Sequence, residues 1–262
     1  THLSMETVLE LVDELLREGL LLESGKSGSR YGRKAVRLCV NPDGRYAVGI
    51  RFNAQSIAGA AIDFACRQTV SIRAELPPAV DMFATVRAVE QTVADVLAQL
   101  GERSARVAGV GIGTPGILSR SGDVVERYVH IPDWLNVPLR EMLFARFGLP
   151  VYIERGIRCS AHALMALPKY AGVRDLAFVQ ISRGVKLCLV AGGRLYAGSS
   201  NNDGEIGHIR AVENGRLCGC GQRGCLETVV SNDAMVQRAR EGMAEGRFRV
   251  MRMEEEAGHP PS

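Results

Sequence analysis

Residues 218–225 read Cys-Gly-Cys-Gly-Gln-Arg-Gly-Cys, and no other stretch restricts the possible folds as tightly. Three of the seven cysteines fall within these eight residues. The glycines between them let the backbone turn sharply enough for three sulfurs to converge on one point. With His208 upstream, the set is three thiolates and one imidazole, the donor complement of a closed tetrahedral zinc site. The alternatives are weaker. A Cys218–Cys220 disulfide would close a strained ring. A catalytic zinc keeps one position open for water, whereas four ligands fill the shell. Buried free thiols would not need the three glycines. The expectation is a structural Zn2+ held by His208, Cys218, Cys220 and Cys225, pinning a loop. Glu205 and Glu227 flank this set and would be held in place together with His208. Such a site can shape a small-molecule pocket without entering the chemistry. Taken singly, each glutamate also reads as an ordinary exposed acid.

The chain has 262 residues, 46% hydrophobic and 23% charged, which suits two domains or one large one. A net charge of +3 neither demands nor excludes nucleic acid, so local charge has to decide. No apolar run reaches the roughly 20 residues that span a bilayer. The opening "THLSMETVLELVDELL" is amphipathic and carries acids, unlike a signal peptide. No membrane partner is expected. Cys39, Cys66, Cys159 and Cys188 stand singly in apolar or strand-like surroundings. That pattern suits a reducing cytoplasm and small core residues rather than a disulfide framework.

Ser4 is a plausible N-cap for a helix carrying Met5, Val8, Leu9, Val12, Leu15 and Leu16 at helical spacing and ending near Gly19. A short strand at 20–23, a glycine-rich loop and a strand at 33–40 come next. A helix joined to a long-looped hairpin is the back half of a winged helix-turn-helix. Between Lys26 and Arg37 lie five basic residues (Lys26, Arg30, Arg33, Lys34, Arg37) and no acid. Such a wing can lie along DNA phosphates or enter a minor groove; it also reads as a solvated loop. A full module needs a further helix ahead of this one, and the chain starts too late to contain it.

"NPDG" (41–44) marks a boundary. Beyond it, strands are expected at 45–64 (two, in a tight hairpin), 107–118, 151–154 and in "DLAFVQIS" and "KLCLVAGGRLY". Helices are expected at 81–101, 138–150 and 159–167, and the tail from Arg238 reads as helical at first and then frayed. The mixture is an α/β chain with mixed sheets and no internal repeat.

"GEIGH" followed by "CGCGQRGCLE" closely resembles the signature of the ROK family of sugar-responsive repressors and sugar kinases. "GVGIGTPGIL", "WLNVPL", "FGLPVYIE" and "GGRLYAGSSNNDGEIGH" agree in order and spacing. The resemblance, over roughly residues 1–235, implies an α/β, actin-like (ribonuclease H-like) two-lobed fold preceded by a partial winged helix-turn-helix. The corresponding divisions are 1–44, 45–152 and 153–262. Sugar would lie between the lobes, near Gly116, Glu205, His208, Glu227 and Arg155.

The chain departs from the kinase pattern in three places. The phosphate-handling turn after the first strand reads "RFNAQ", with Arg51 in place of the acid and Asn53 in place of a glycine. The Asn-Asp-Ala-Asn run that supplies the catalytic base reads Arg155-Gly156-Ile157-Arg158. A third phosphate-contacting segment reads "SRGVK", with Gly184 kept. Loss of a general base alone costs about 10²–10⁴-fold. Arg155 and Arg158 admit three readings: ion pairs with Glu205 and Glu227 that shut the pocket, a seat for an anionic ligand, or solvent exposure.

The leading expectation is therefore a DNA-binding regulator of carbohydrate metabolism, at least a homodimer or a homotetramer, that binds operator DNA and a sugar-derived effector. A sugar kinase using Asp203 or Glu205 as base is the alternative. A degenerate chain that keeps only its zinc is the third, since relatives run on well past "CLE" while this chain stops in a polar, irregular end.

Overall fold

The computed structural model describes residues 3–26, 36–199, 201 and 203–247. The chain divides into two compact units, Thr1–Gly156 and Ile157–Ser262.

The first unit opens with α1 (Met5–Arg17), whose N-cap Ser4 accepts from the Thr7 amide at 3.2 Å. The helix joins directly to an antiparallel hairpin, β1 (Leu21–Lys26) and β2 (Val36–Val40). Residues Asn41–Tyr46 then form a knot that ties this hairpin to the main sheet. The Asn41 side-chain amide donates to the Gly19 carbonyl at 2.7 Å, and Arg106 donates to the Asp43 carbonyl at 2.9 Å. The buried Tyr46 hydroxyl donates to the Asp43 carboxylate. Gly44 must be glycine, because a Cβ there would lie 2.8 Å from the Gly19 carbonyl oxygen.

The main sheet begins with three antiparallel strands: β3 (Tyr46–Phe52), β4 (Ser56–Asp63) and β5 (Gln68–Glu75). After α2 (Met82–Leu100) and a 3-10 turn comes β6 (Val107–Thr114), parallel to β3. A small three-stranded sheet is made of β7 (Ile117–Leu118), β8 (Val125–Arg127) and β9 (Leu135–Val137). The unit continues with α3 (Leu139–Phe147) and β10 (Val151–Arg155), parallel to β6. The main sheet has the order β10-β6-β3-β4-β5.

Alternation decides which face of that sheet is core. In β3, Tyr46, Val48, Ile50 and Phe52 are buried while Gly49 and Arg51 are exposed. α2 covers this face with Val86, Val89, Val93 and Val96, at helical spacing. The approach is close: a Cβ on Gly59 would lie 2.6 Å from a Thr92 methyl and 2.9 Å from a Val96 methyl. Asp81 caps the helix, accepting from the Ala84 amide at 2.7 Å.

The second unit contains nearly all of α4 (Gly156–Met165) and an antiparallel sheet, β11 (Leu176–Ile181), β12 (Val185–Ala191) and β13 (Arg194–Leu195). Ile157 and Ala161 of α4 pack with Cys188, Phe178 and Leu195. The loop bearing the cysteine cluster leads into α5 (Glu227–Val230) and α6 (Asn232–Ala244).

Several expectations need correction. β5 and the β7–β8–β9 sheet were not anticipated. α4 begins at Gly156 rather than Cys159, and α6 begins at Asn232 rather than Arg238. Of the four scattered cysteines only Cys188 is buried in a core; Cys39 and Cys66 are exposed and Cys159 is half-buried. Cys39 lies on a strand with no buried residue, and Cys66 sits in the β4–β5 turn at φ +60°. Among the described residues, no helix is long and apolar enough to cross a membrane.

Candidate functional site

The segment from Gly204 to Cys225 is built by close backbone approaches that only glycine permits. The Leu187 amide of β12 donates to the Gly204 carbonyl at 2.8 Å. A Cβ on Gly204, at φ +77°, would lie 1.8 Å from the Leu187 carbonyl oxygen. Glu205 and the 3-10 turn Ile206–His208 are thereby held against the start of β12. Further on, the chain doubles back as a small hairpin with bridges Arg210–Cys225 and Leu217–Arg223. Gly224, at φ +74°, lies so close to Val212 that a Cβ would be 1.7 Å from its carbonyl oxygen. The Cys218 amide donates to the Gln222 carbonyl at 2.7 Å, which closes the tip.

This folding brings His208, Cys218, Cys220 and Cys225 together. Their donor atoms lie within 4.8 Å of one another, a set that can hold one metal ion. His208 Nδ1 is 3.5 Å from Cys218 Sγ, and Cys220 Sγ is 3.7 Å from Cys225 Sγ, far longer than a disulfide. Burial pushes the Cys218 and Cys225 thiols up from their ordinary range. The Cys220 thiol lies lower, because the Gln222 backbone hydrogen-bonds its sulfur. A cation among the three sulfurs reverses the effect of burial, since it stabilises thiolate directly.

Glu205 and Glu227 sit on either side of the imidazole. His208 Nδ1 is 3.7 Å from Glu227 Oε1, and His208 Nε2 is 3.9 Å from Glu205 Oε2. The histidine thus turns one nitrogen to the sulfurs and the other to Glu205. Both carboxylates are part-buried rather than free on the surface. Glu227 Oε2 has room because Gly184 and Gly207 lack side chains; a Cβ on either would be 3.2 Å away.

Arg155 and Arg158 are 2% and 3% exposed, so the reading in which both face solvent is overturned. Arg158 is engaged by the loop that precedes Glu205. Its guanidinium forms an ion pair with Asp203, whose side chain is 9% exposed, and donates to the Asn201 side chain at 2.5 Å. A further bond reaches the Ala197 carbonyl at 3.4 Å. The loop leading to Glu205 is thus clamped onto α4. Sequence spacing places Arg158 near this loop but does not say which acid it meets, and the role of Asp203 as its partner was missed. Arg155 closes β10 in the first unit, in register with Thr114.

Gly116 also belongs to the first unit. It has φ +80°, and a Cβ there would lie 2.3 Å from the Arg127 carbonyl oxygen, so its backbone is pressed against β8. The turn between β3 and β4 is closed by Asn53, whose side-chain oxygen accepts from the Gln55 amide at 2.7 Å and the Ser56 amide at 2.8 Å. Gly156, which the resemblance aligned with a kinase base, is the first residue of α4. Lys26 ends β1, while Arg30, Arg33 and Lys34 lie outside the described residues.

Comparison with known proteins places these features. The chain is 28% identical over 234 residues to the xylose repressor of Caldicellulosiruptor bescii, covering 89% of this chain and 58% of that protein. It is 26% identical over 242 residues to the DNA-binding transcriptional dual regulator NagC of Escherichia coli, covering 91% and 58%. The chain therefore spans about three-fifths of the length of these relatives. A ROK family transcriptional regulator, a homologue of the E. coli MLC protein, superposes with a TM-score of 0.75 at 22% identity, over 93% of this chain and 61% of that one. A ROK family glucokinase from Streptomyces griseus, solved with glucose and AMPPNP, gives 0.69 at 28% identity, over 79% and 64%. The fold is the actin-like one of these regulators and kinases. The ROK family model itself matches residues 47–257, which include every residue of the Cys3His cluster, and so this chain belongs to the ROK family.

Proposed function

We propose that this chain is the larger part of a DNA-binding repressor of carbohydrate metabolism whose kinase-like body senses a sugar. The observation that carries this reading is the helix-and-hairpin segment, α1 with β1 and β2. It precedes the family match at residue 47 and is tied to the main sheet by the Asn41–Tyr46 knot. A sugar kinase has no need of such an appendage, whereas a regulator needs a module of this shape to reach DNA. The basic residues Lys26, Arg30, Arg33 and Lys34, which follow Leu21 and precede Val36 in the sequence, would contact phosphates.

The body supports sensing rather than phosphoryl transfer. Gly156 offers no base. The β3–β4 turn is filled by the Asn53 side chain instead of being left open to phosphate. Asp203, a candidate substitute base, is engaged by Arg158. Glu205, His208 and Glu227 remain as a set of acceptors and donors that suits sugar hydroxyls.

The ion that suits the cluster is zinc. A four-coordinate zinc with about 2.3 Å to sulfur and about 2.0 Å to nitrogen has ligand–ligand edges of about 3.5–3.8 Å. The observed Nδ1–Sγ and Sγ–Sγ separations of 3.5 and 3.7 Å fit that frame. Bound by His208, Cys218, Cys220 and Cys225, it would be structural: it would offset two of the three thiolate charges, fix the loop, and take no part in chemistry. It also orients His208 so that Nε2 is presented beside Glu205. A sugar-derived effector suits this set, and Arg158, matched by Asp203, adds no uncompensated charge to attract an anion. A protein reading a palindromic operator is at least a dimer, acting in the cytoplasm.

The test is a mobility-shift assay of the full-length protein on its own upstream DNA, run across a salt series and with a panel of aldoses and amino sugars. Sequence-selective binding that weakens steeply with salt and is released by one sugar is the expected result. ATP-dependent turnover of a hexose, abolished in Glu205→Gln, would contradict the reading.

A further inference from the structure

We infer that Cys220 and Cys225 form a peroxide-sensitive pair, whose oxidation to a disulfide dismantles the metal site and frees His208. The inference rests on the metal reading above.

The four ligands are not equally sheltered. Cys225 is 0% exposed and Cys218 is 4% exposed, whereas Cys220 lies at the surface. Its neighbours leave the approach open: a Cβ on Gly219 or Gly221 would meet nothing within 4 Å. A small oxidant arriving from solvent therefore reaches one sulfur of the three. The second sulfur needed for a disulfide is at hand, since Cys225 Sγ lies 3.7 Å from Cys220 Sγ. Cys218 lies beside the same two sulfurs, but it is buried and is also engaged by Glu227 Oε1 at 3.1 Å and His208 Nδ1 at 3.5 Å. Glycines at 219 and 221, neither crowded by a neighbour, give the tip the backbone freedom to close the remaining gap to about 2.05 Å.

The chemistry balances with hydrogen peroxide as oxidant. The Cys220 thiolate attacks one peroxide oxygen, the O–O bond breaks, and the departing hydroxide takes a proton and leaves as water. Cys220 is then a sulfenic acid. The Cys225 thiolate attacks the Cys220 sulfur, the S–O bond breaks, and a second water leaves. Two thiols have lost two electrons in total, and one peroxide has become two waters. Only Cys218 and His208 remain as ligands, too few to retain the ion. Freed from it, His208 no longer presents a fixed Nε2 beside Glu205.

The experiment uses zinc-loaded full chain in a Cys39→Ser, Cys66→Ser background, which removes the other exposed thiols. Hydrogen peroxide is added, zinc release is followed with a chromogenic chelator, and disulfides are mapped by mass spectrometry. One zinc should leave for every two thiols lost, with a crosslink joining Cys220 to Cys225 and Cys218 still open to alkylation. Dithiothreitol with added zinc should restore the site. Gly219→Leu, which puts bulk beside Cys220 without touching a ligand, should bind the same zinc and release it several-fold more slowly. A crosslink through Cys218, zinc loss without any crosslink, or a release rate unchanged by Gly219→Leu would overturn the inference. Protein that carries no zinc before peroxide is added would instead overturn the metal reading itself, and this inference with it.

Discussion

At Arg158 an enclosed guanidinium meets an enclosed carboxylate, their side chains 4% and 9% exposed. Removing one partner strands the other without solvent. Arg158→Met should therefore cost about 3–5 kcal/mol in chemical denaturation, and adding Asp203→Leu should recover much of it. If the single substitution is neutral, the clamp is not what holds the loop before Glu205. Gly204 gives a second test of that loop. Gly204→Ala combines positive φ with a Cβ 1.8 Å from the Leu187 carbonyl oxygen and should destabilise by at least ~2 kcal/mol. For Glu205 the expected effect is on ligand. Glu205→Gln should weaken sugar binding by about tenfold or more in calorimetry, since a charged hydrogen bond contributes ~1.5–3 kcal/mol. The convergence of His208, Cys218, Cys220 and Cys225 was legible in the sequence because cysteine and histidine have few other reasons to cluster. The Arg158–Asp203 pair was not, because residue spacing gives proximity along the chain and not the register in which a loop folds back.

Among elements, the knot at Asn41–Tyr46 is the one that couples. Its Tyr46 hydroxyl titrates above the ordinary tyrosine range, chiefly because it donates to Asp43 and also because it is buried. Its contribution to stability is fully present below about pH 10, the unfolded tyrosine value, and is lost as pH rises through the raised folded value. An alkaline titration by ultraviolet absorbance should show one tyrosine ionising late, and Tyr46→Phe should abolish that step. Asn41→Ala removes the bond to Gly19 and should loosen the hairpin, lowering DNA affinity more than overall stability. Elements with strong periodicity, such as α1 and α2, could be read directly. β5 and β7–β9 could not: β5 is an edge strand with few buried residues, and β7–β9 are two or three residues long. The early start of α4 was hidden by Gly156, a residue that ordinarily breaks helices.

The molecule as a whole comprises a helix and hairpin assigned above to DNA binding, the first α/β unit to which they belong, and a second unit whose loop gathers the Cys3His cluster. The family likeness could be read from the sequence because its densest motif is the metal loop. The departures from the kinase pattern were legible in the sequence, whereas the bonds that Asn53 makes within its own turn and the Arg158–Asp203 pair needed the folded chain. Everything proposed for sensing depends on His208 being held between sulfur and Glu205. The most direct test is zinc K-edge X-ray absorption on purified, dialysed protein. The prediction is one zinc per chain, with three sulfurs at about 2.3 Å and one nitrogen at about 2.0 Å. A metal-free protein, or a first shell dominated by oxygen, would contradict it.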